Sequence, residues 1–275
     1  MYRLIACDLD ETLLDDNGDV PSRVRDAVAA ARKRGVRFVL ATGRPYVSTH
    51  RTLDQLGLLG AEDEYVISFN GGVITKNADE RPLTSCELDP DVAEALYERG
   101  VAQGLCMHVY TLDTVYVYNY LPEERAYIEG RMCILETDEP TLSFLRDKGE
   151  PIVKLLYMSF DANLLHALEH ELADIGITQD LDVCYSSNRY LEFNAPGVNK
   201  GAGLLELARR LEIPQSETMA IGDNSNDVPM IRAAGLGVAV ANATDEAKAS
   251  AGYVCHADNN AGAVAEALER FVLGE

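Results

Sequence analysis

The sequence predicts an α/β protein, a mainly parallel sheet whose chain is interrupted by an inserted α+β module. Three observations predict it. In the first third, short apolar runs alternate with helix-patterned segments, the mark of βαβ units and a parallel sheet. The middle of the chain breaks that alternation with a hairpin-like pair of runs. The alternation then returns and continues to the end. A chain of 275 residues has room for one large domain or two ordinary ones.

Each element has its own reason. Leu4-Ile5-Ala6-Cys7 reads as a buried strand. Pro21-Ser22 opens a helix with Val24, Ala27, Val28 and Ala31 on one face, and Gly35 closes it. Val36–Leu40 is the next strand and runs into Ala41-Thr42-Gly43-Arg44-Pro45. A helix over 46–56 stops at Gly57, and a third strand over Tyr65–Phe69 ends at Asn70-Gly71-Gly72. Lys76–Cys86 is turn-rich and polar. Asp89-Pro90 then starts a helix to about Gln103. Leu105–Tyr110 and Val115–Tyr120 flank Thr111-Leu112-Asp113-Thr114 as an antiparallel hairpin. A helical piece at 122–130, a strand at Ile152–Ser159, a helix at Ala162–Ile175 and strands at Asp182–Ser186 and Tyr190–Phe193 complete the mixed module. From Asn194 the first texture resumes: a helix over Asn199–Leu211, a strand over Thr218–Ile221 and a helix to Ala234. Short strands at Gly237–Val240 and Tyr253–Cys255 precede a last amphipathic helix using Val264, Ala267, Leu268 and Phe271.

Composition narrows the function. Hydrophobic residues make up 47% of the chain, enough for a packed core. The net charge of −21 argues against a nucleic-acid or anionic-membrane partner, because such binding needs clustered Lys and Arg. The apolar run near the N-terminus is too short for a signal peptide, and no run approaches a membrane span. The six cysteines are scattered without a CxxC and mostly sit in apolar contexts, which reads as reduced thiols in a cytoplasmic protein. The sequence leaves the oligomeric state open.

Asp8-Leu9-Asp10-Glu11-Thr12-Leu13 is the most informative segment. It places two carboxylates two positions apart where the first strand runs out. If the strand continues, both project from one face. Alone, the string also suits a solvated turn in a chain with 45 acidic residues. Three further polar clusters stand at strand ends or helix starts: Thr42/Gly43/Arg44, Lys200, and Asp223/Asn226/Asp227. Strand ends of a parallel sheet share one edge, so these clusters can converge. Asp8, Asp10 and Asp223 offer hard oxygen ligands suited to Mg²⁺. Thr42, the Gly43 amide, Lys200 and Asn226 offer donors suited to a phosphate. A carboxylate about 4 Å from a phosphate dianion is repelled by roughly 8 kcal/mol at an effective dielectric near 20, so a divalent cation and an ammonium are needed beside it.

In these motifs the chain resembles the haloacid dehalogenase superfamily phosphatases of the Cof type, which carry a large α/β cap. Asp8-Leu9-Asp10-Glu11-Thr12-Leu13-Leu14 is similar to the first family motif and Ala41-Thr42-Gly43-Arg44 to the second. Gly197-Val198-Asn199-Lys200-Gly201 is similar to the third, and Gly222-Asp223-Asn224-Ser225-Asn226-Asp227 with Met230 to the fourth. The resemblance covers nearly the whole chain, in order. It implies a Rossmann-like, doubly wound core over 1–83 and 191–275, with an α+β cap over 84–190 that closes on and selects the substrate. It implies a Mg²⁺-dependent phosphomonoester hydrolase acting on small phosphorylated metabolites, a sugar phosphate or a phosphorylated cofactor. Asp8 would be the nucleophile that becomes an aspartyl-phosphate, and Asp10 the acid and then the base. The Asp8 carboxylate, the Asp10 carbonyl and Asp223 would hold Mg²⁺, with Asp227 in support. The Leu9 backbone, Thr42, Gly43, Lys200 and Asn226 would hold the phosphate. A phosphomutase using the same intermediate and a non-catalytic binder of phosphorylated ligands are the alternatives.

Other residues have plainer readings. Glu11 stands where the family often has Gly, and a solvent-facing turn suits it better than an inward one. Arg44 either meets the substrate or braces its loop. His108 reads more as a structural histidine than as a ligand contact. Tyr110, Tyr116, Tyr118 and Tyr120 read as an ordinary sheet face. Gly235-Leu236-Gly237 lacks the third glycine of a dinucleotide fingerprint, and Asp15-Asp16-Asn17-Gly18-Asp19 lacks the spacing of a calcium loop.

Overall fold

The computed structural model describes residues 2–130 and 132–274; Met1, Arg131 and Glu275 lie outside the described residues. The chain divides into two compact units, one running to Thr84 and resuming at Asn199, the other spanning Ser85–Val198. Before the insertion come β1 (Leu4–Cys7), β2 (Arg37–Ala41), β3 (Tyr65–Ser68), β4 (Val73–Lys76) and β5 (Pro82–Ser85). The insertion contributes β6 (Cys106–Tyr110), β7 (Val115–Tyr118), β8 (Ile134–Thr137), β9 (Lys154–Met158), β10 (Asp182–Ser186) and β11 (Tyr190–Asn194). After it come β12 (Thr218–Gly222), β13 (Leu236–Ala239) and β14 (Tyr253–Val254).

Among the described residues the first unit holds one sheet in the order β14-β13-β12-β1-β2-β3-β4-β5. The pairings from β14 to β3 are parallel, and β4 returns antiparallel on β3. Its strands read as continuous apolar runs because both faces are covered. Ile5, Cys7, Phe38, Leu40, Met219 and Ile221 pack with the helices Ser22–Lys33 and Ala263–Leu268. Leu4, Ala6, Val39, Ala41 and Ala220 pack on the other side with Leu204, Leu207 and Ala208 of the helix Lys200–Arg210. The β1–β12 neighbourhood sets Cys7 beside Ile221. The residues that follow each strand, Asp8 and Asp223, therefore emerge side by side.

The second unit holds a sheet in the order β10-β11-β9-β6-β7-β8. Met107, Val109, Leu155, Tyr157, Leu191 and Phe193 form its apolar face, packed with residues of the helices Pro90–Ala102 and Ala162–Asp174. The sequence reading returns to the core at residue 191. In the structure β11 pairs antiparallel with β9 and β10, so this unit runs on to Val198. Three strands lie in segments not read as strands: β4, β5 and β8. β4 is a buried run directly after the turn at Asn70-Gly71-Gly72, too short to stand out from it. β5 and β8 are largely exposed end strands of their sheets, and such strands carry no clear apolar alternation. Among the described residues no helix is long and apolar enough to cross a membrane.

The opposite face of the second sheet buries a polar cluster. Lys154 and Glu192 form an ion pair at 3.0 Å, both buried. Glu124, on the helix Pro122–Ile128, accepts a short hydrogen bond from the Tyr190 hydroxyl and lies 3.5 Å from Arg189. His108 is buried among them, with Nδ1 at 3.4 Å from the Tyr110 hydroxyl and Nε2 at 3.4 Å from Glu124. Proximity to Glu124 favours the imidazolium, but burial, aided by the Lys154 ammonium, pushes His108 down to about 3. The folded ring is therefore neutral. Tyr116 and Tyr118 belong to the apolar side, whereas the Tyr110 ring takes the Lys154 ammonium at 4.5 Å.

An unfolded histidine takes up its proton near pH 6.5. Below that pH the unfolded chain binds a proton that the folded ring refuses. Stability should fall by about 1.4 kcal/mol per pH unit from this group until its folded value is reached. Urea unfolding of wild type and His108→Gln at pH 7 and pH 5 checks it. The difference should shift toward the variant by about 2 kcal/mol. A difference that does not change with pH overturns the neutral assignment.

Candidate active site

The strand β1 stops at Cys7, and Leu9–Leu13 forms a wide turn closed by the Leu14 amide on the Leu9 carbonyl at 2.9 Å. Asp8 and Asp10 therefore do not share a strand face, as a continued strand would give them. The turn buries the Asp8 side chain and leaves that of Asp10 about half exposed. The Asp8 amide still reaches across to the Ile221 carbonyl at 2.9 Å, tying the turn to β12. Glu11 takes the left-handed conformation at φ 59° and is exposed, and its carbonyl accepts from Asn242 Nδ2 at 2.7 Å.

Lys200 begins its helix directly after the N-cap Asn199, whose side chain accepts from the Ala202 amide at 2.9 Å. The helix comes close to its neighbours: a Cβ on Gly201 would stand 2.5 Å from the Pro229 carbonyl oxygen. This approach drives the Lys200 ammonium, fully buried, between two carboxylates. It donates a short hydrogen bond to Asp8 Oδ1 and another of 2.6 Å to Asp227 Oδ1. Asp227 Oδ2 accepts from the Asp223 and Asn224 amides at 3.0 and 3.1 Å. Both oxygens of Asp227 are thus engaged in holding the loop and the lysine. Asp223 Oδ1 accepts from the Thr12 hydroxyl at 2.7 Å, which links the fourth motif to the first.

The charges do not balance. Carboxylate oxygens of Asp8, Asp223 and Asp227 lie within 4.8 Å of one another, all buried, and one ammonium reaches two of the three carboxylates. Burial, with the Asp227 charge added, raises the Asp8 carboxyl well above its ordinary range, against the pull of Lys200. Burial and Asp227 also push Asp223 up to about 7, opposed by the Thr12 hydroxyl and Lys200. Burial works against the Lys200 ammonium, yet Asp227 and Asp8 outweigh it and hold the ammonium firmly charged. Three hard-oxygen donors with surplus negative charge fit a small divalent cation.

The remaining residues complete the edge. Thr42, buried at the end of β2, accepts the Arg44 amide at 3.1 Å on its hydroxyl oxygen, which leaves the hydroxyl proton to be donated. Gly43 follows it. Asn226 sits half-buried in the turn after β12, beside Asn70. Leu9 is buried directly after Asp8. The Arg44 side chain reaches not its own loop but the Asp10 carboxylate of the first motif, which it grips with two nitrogens, Nε at 2.9 Å from Oδ2 and Nη2 in a short contact with Oδ1. Sequence reasoning missed this fork because nothing in the spacing of residues 10 and 44 pairs them. It also missed Asn70, though the Asn-Gly-Gly that follows β3 marks a special turn.

The sequence pattern of haloacid dehalogenase-like hydrolases matches residues 5–268. The chain belongs to the haloacid dehalogenase-like hydrolase family. It is 33% identical to the Bacillus subtilis protein YxeH over 279 residues, covering all of both chains. It is 29% identical to the Bacillus subtilis 5-amino-6-(5-phospho-D-ribitylamino)uracil phosphatase YcsE, over 98% of this chain and 96% of that protein. A solved haloacid dehalogenase-like hydrolase from Bacteroides thetaiotaomicron superposes with a TM-score of 0.83 at 31% identity, covering 98% of this chain and 99% of that one. The chain is an enzyme, a Cof-type phosphatase of this family.

The lysine clamp has a measurable weight. Lys200→Met leaves Asp8 and Asp227 buried and facing each other, so unfolding in metal-free urea should show a loss of about 3–5 kcal/mol. Adding Asp8→Asn should recover part of it. Equal midpoints for Lys200→Met and wild type would remove the clamp from the stability of the fold.

Proposed function

We propose that this phosphatase hydrolyses phosphate monoesters of small metabolites, a sugar phosphate or a phosphorylated cofactor, through an aspartyl-phosphate on Asp8. The observation that carries the reading is the pairing of a buried, lysine-clamped Asp8 with a half-exposed, arginine-held Asp10. One carboxylate is fixed for attack and the other stands where protons can come and go. A phosphorylated ribityl compound is the substrate named for YcsE, a relative matched along nearly its whole length, which favours a phosphorylated polyol or sugar here.

An Asp8 oxygen attacks phosphorus in line. The bond from phosphorus to the ester oxygen breaks, and that oxygen takes the proton of Asp10 as the alcohol leaves. Asp10, now a carboxylate, accepts a proton from water as the water oxygen attacks phosphorus. The bond from Asp8 to phosphorus breaks, inorganic phosphate departs, and both carboxyls return to their starting states. The Thr42 hydroxyl, the Leu9 and Gly43 amides, the Asn226 amide group and the Lys200 ammonium bind and orient the phosphoryl oxygens. Asp8, Asp223 and the Asp10 carbonyl would hold Mg²⁺, and Asp227 supports them through the bonds already described. Bound there, Mg²⁺ supplies positive charge to offset that of the phosphoryl group and its carboxylate neighbours.

A phosphate-release screen over phosphorylated metabolites with Mg²⁺ tests the reading. Wild type should turn over at least one sugar or cofactor phosphate, and a chelator should abolish release reversibly. Asp8→Asn should lose at least about 1,000-fold in kcat while keeping its circular dichroism and unfolding midpoint. Retained turnover in Asp8→Asn removes the nucleophile. Full activity in chelator removes the metal.

Asp10→Asn should discriminate among leaving groups. Release from an alkyl phosphate should fall at least about 100-fold, and release from an aryl phosphate with an acidic phenol much less, because general-acid help matters most for poor leaving groups. Equal losses on both classes would take Asp10 out of proton transfer.

A further inference from the structure

The four-residue link between β3 and β4 is the most strained segment near the site. Phe69 and Asn70 both adopt positive φ, 51° and 55°, and Gly71 follows at 98°. Asn enters that region with some ease, whereas a bulky Phe there is an outlier. Such conformations persist only where the surroundings over-determine them, and they cluster at functional sites. Phe69 and Asn70 are both buried.

The surroundings are the phosphate-side loops themselves. The Phe69 amide donates to the Arg44 carbonyl at 3.2 Å and the Asn70 amide to the Thr42 carbonyl at 3.0 Å. Gly71 lies against the residue before Lys200: a Cβ there would stand 2.2 Å from the Asn199 carbonyl oxygen, so only glycine fits. Asn70 Oδ1 accepts from Asn226 Nδ2 at 3.4 Å. One short link therefore touches the loops that carry Thr42, Lys200 and Asn226.

We propose that Asn70 is a positioning residue for phosphate binding, acting through Asn226; this rests on the active-site reading above. An amide group presents a carbonyl oxygen on one side and two N–H donors on the other. A phosphoryl oxygen needs the donor side. The Asn70 oxygen takes one N–H of Asn226, which fixes the nitrogen end of that amide and leaves the second N–H to be donated to phosphate. The backbone bonds from Phe69 to Arg44 and from Asn70 to Thr42 hold the Asn70 side chain beside Asn226. Inverting Asn226 would set its oxygen against the Asn70 oxygen, so the free enzyme is already ordered for the anion.

The test uses Asn70→Gly in the full chain with Mg²⁺, since glycine takes a positive φ without strain and removes only the side chain. Inorganic phosphate is the probe, by calorimetry and as a competitive inhibitor. Its dissociation constant should rise about tenfold, the effect of losing one aligned hydrogen bond to a charged group. KM should rise by more than kcat falls. Asn226→Ala should show a similar rise, and adding Asn70→Gly to it should add less than twofold, because the two act as one unit. Should Asn70→Gly unfold, Asn70→Ser, too short to reach Asn226, should give the same result. The proposal is overturned if folded Asn70→Gly or Asn70→Ser binds phosphate within twofold of wild type. It is also overturned if the effects of Asn70→Gly and Asn226→Ala multiply. A wild type that neither binds phosphate nor releases it from any ester overturns the active-site reading and this inference together. Normal wild-type binding with unchanged variants overturns this inference alone.

Discussion

A single buried ammonium shared by two carboxylates holds the candidate site's sheet edge together. Lys200 reaches Asp8 at the end of β1 and Asp227 in the turn after β12. Asp227 in turn gathers the amides of Asp223 and Asn224. Removing an ion from water costs several kcal/mol, and only short, multiple contacts offset that. The sheet order supplies them, because β1 and β12 are parallel neighbours in which Cys7, the last residue of β1, pairs with Ile221. The helix that begins at Lys200 supplies the third corner, and it approaches closely enough only because Gly201 carries no side chain against Pro229. The parallel sheet, the helix packing and the ion cluster are thus one constraint seen at three scales.

That constraint leaves a surplus of negative charge, which is destabilising in the folded state and useful in the site. The raised Asp8 and Asp223 carboxyls express the cost of holding three carboxylates in a buried space with one cation. A protein selected only for stability would replace one of them with an apolar residue. Their retention fits a site that is completed by positive charge from outside the chain. The strained link at Phe69 and Asn70 belongs to the same account, since non-glycine residues at positive φ cost roughly 1–3 kcal/mol each.

The sequence revealed most where burial writes a pattern. β1, β2, β3 and β12 are covered on both faces and show as apolar runs. Asp8, Thr42, Lys200 and Asp223 could be placed because strand ends and helix starts are legible. β5 and β8 were hidden because an exposed end strand is not required to alternate. The separation of Asp8 from Asp10 was hidden too. A period of two predicts one face, but the strand ends at Cys7 and Glu11 turns left-handed, and neither fact appears in the composition of the motif. The fork from Arg44 and the bond from Asn226 to Asn70 join residues far apart in sequence. His108 was legible as structural. Its neutral state follows from complete burial and, to a lesser degree, from Lys154, which its own neighbours in sequence did not disclose.

The two carboxylates of the first motif lie two residues apart and yet occupy different environments. An attacking carboxylate benefits from fixation, because each freedom removed beforehand is one not lost at the transition state. Asp8 has that fixation from Lys200 and from the β12 backbone. An acid that later becomes a base needs access to water and a counter-charge that can let go. Asp10 has both, at half exposure on the side chain of Arg44, whose long stem can swing away. In the proposed reaction two carboxylates whose environments differ divide acid, base and nucleophile between them without any difference in residue type. The wide turn at Leu9–Leu13 makes the difference, by sending one side chain into the sheet edge and the next acidic one out toward solvent.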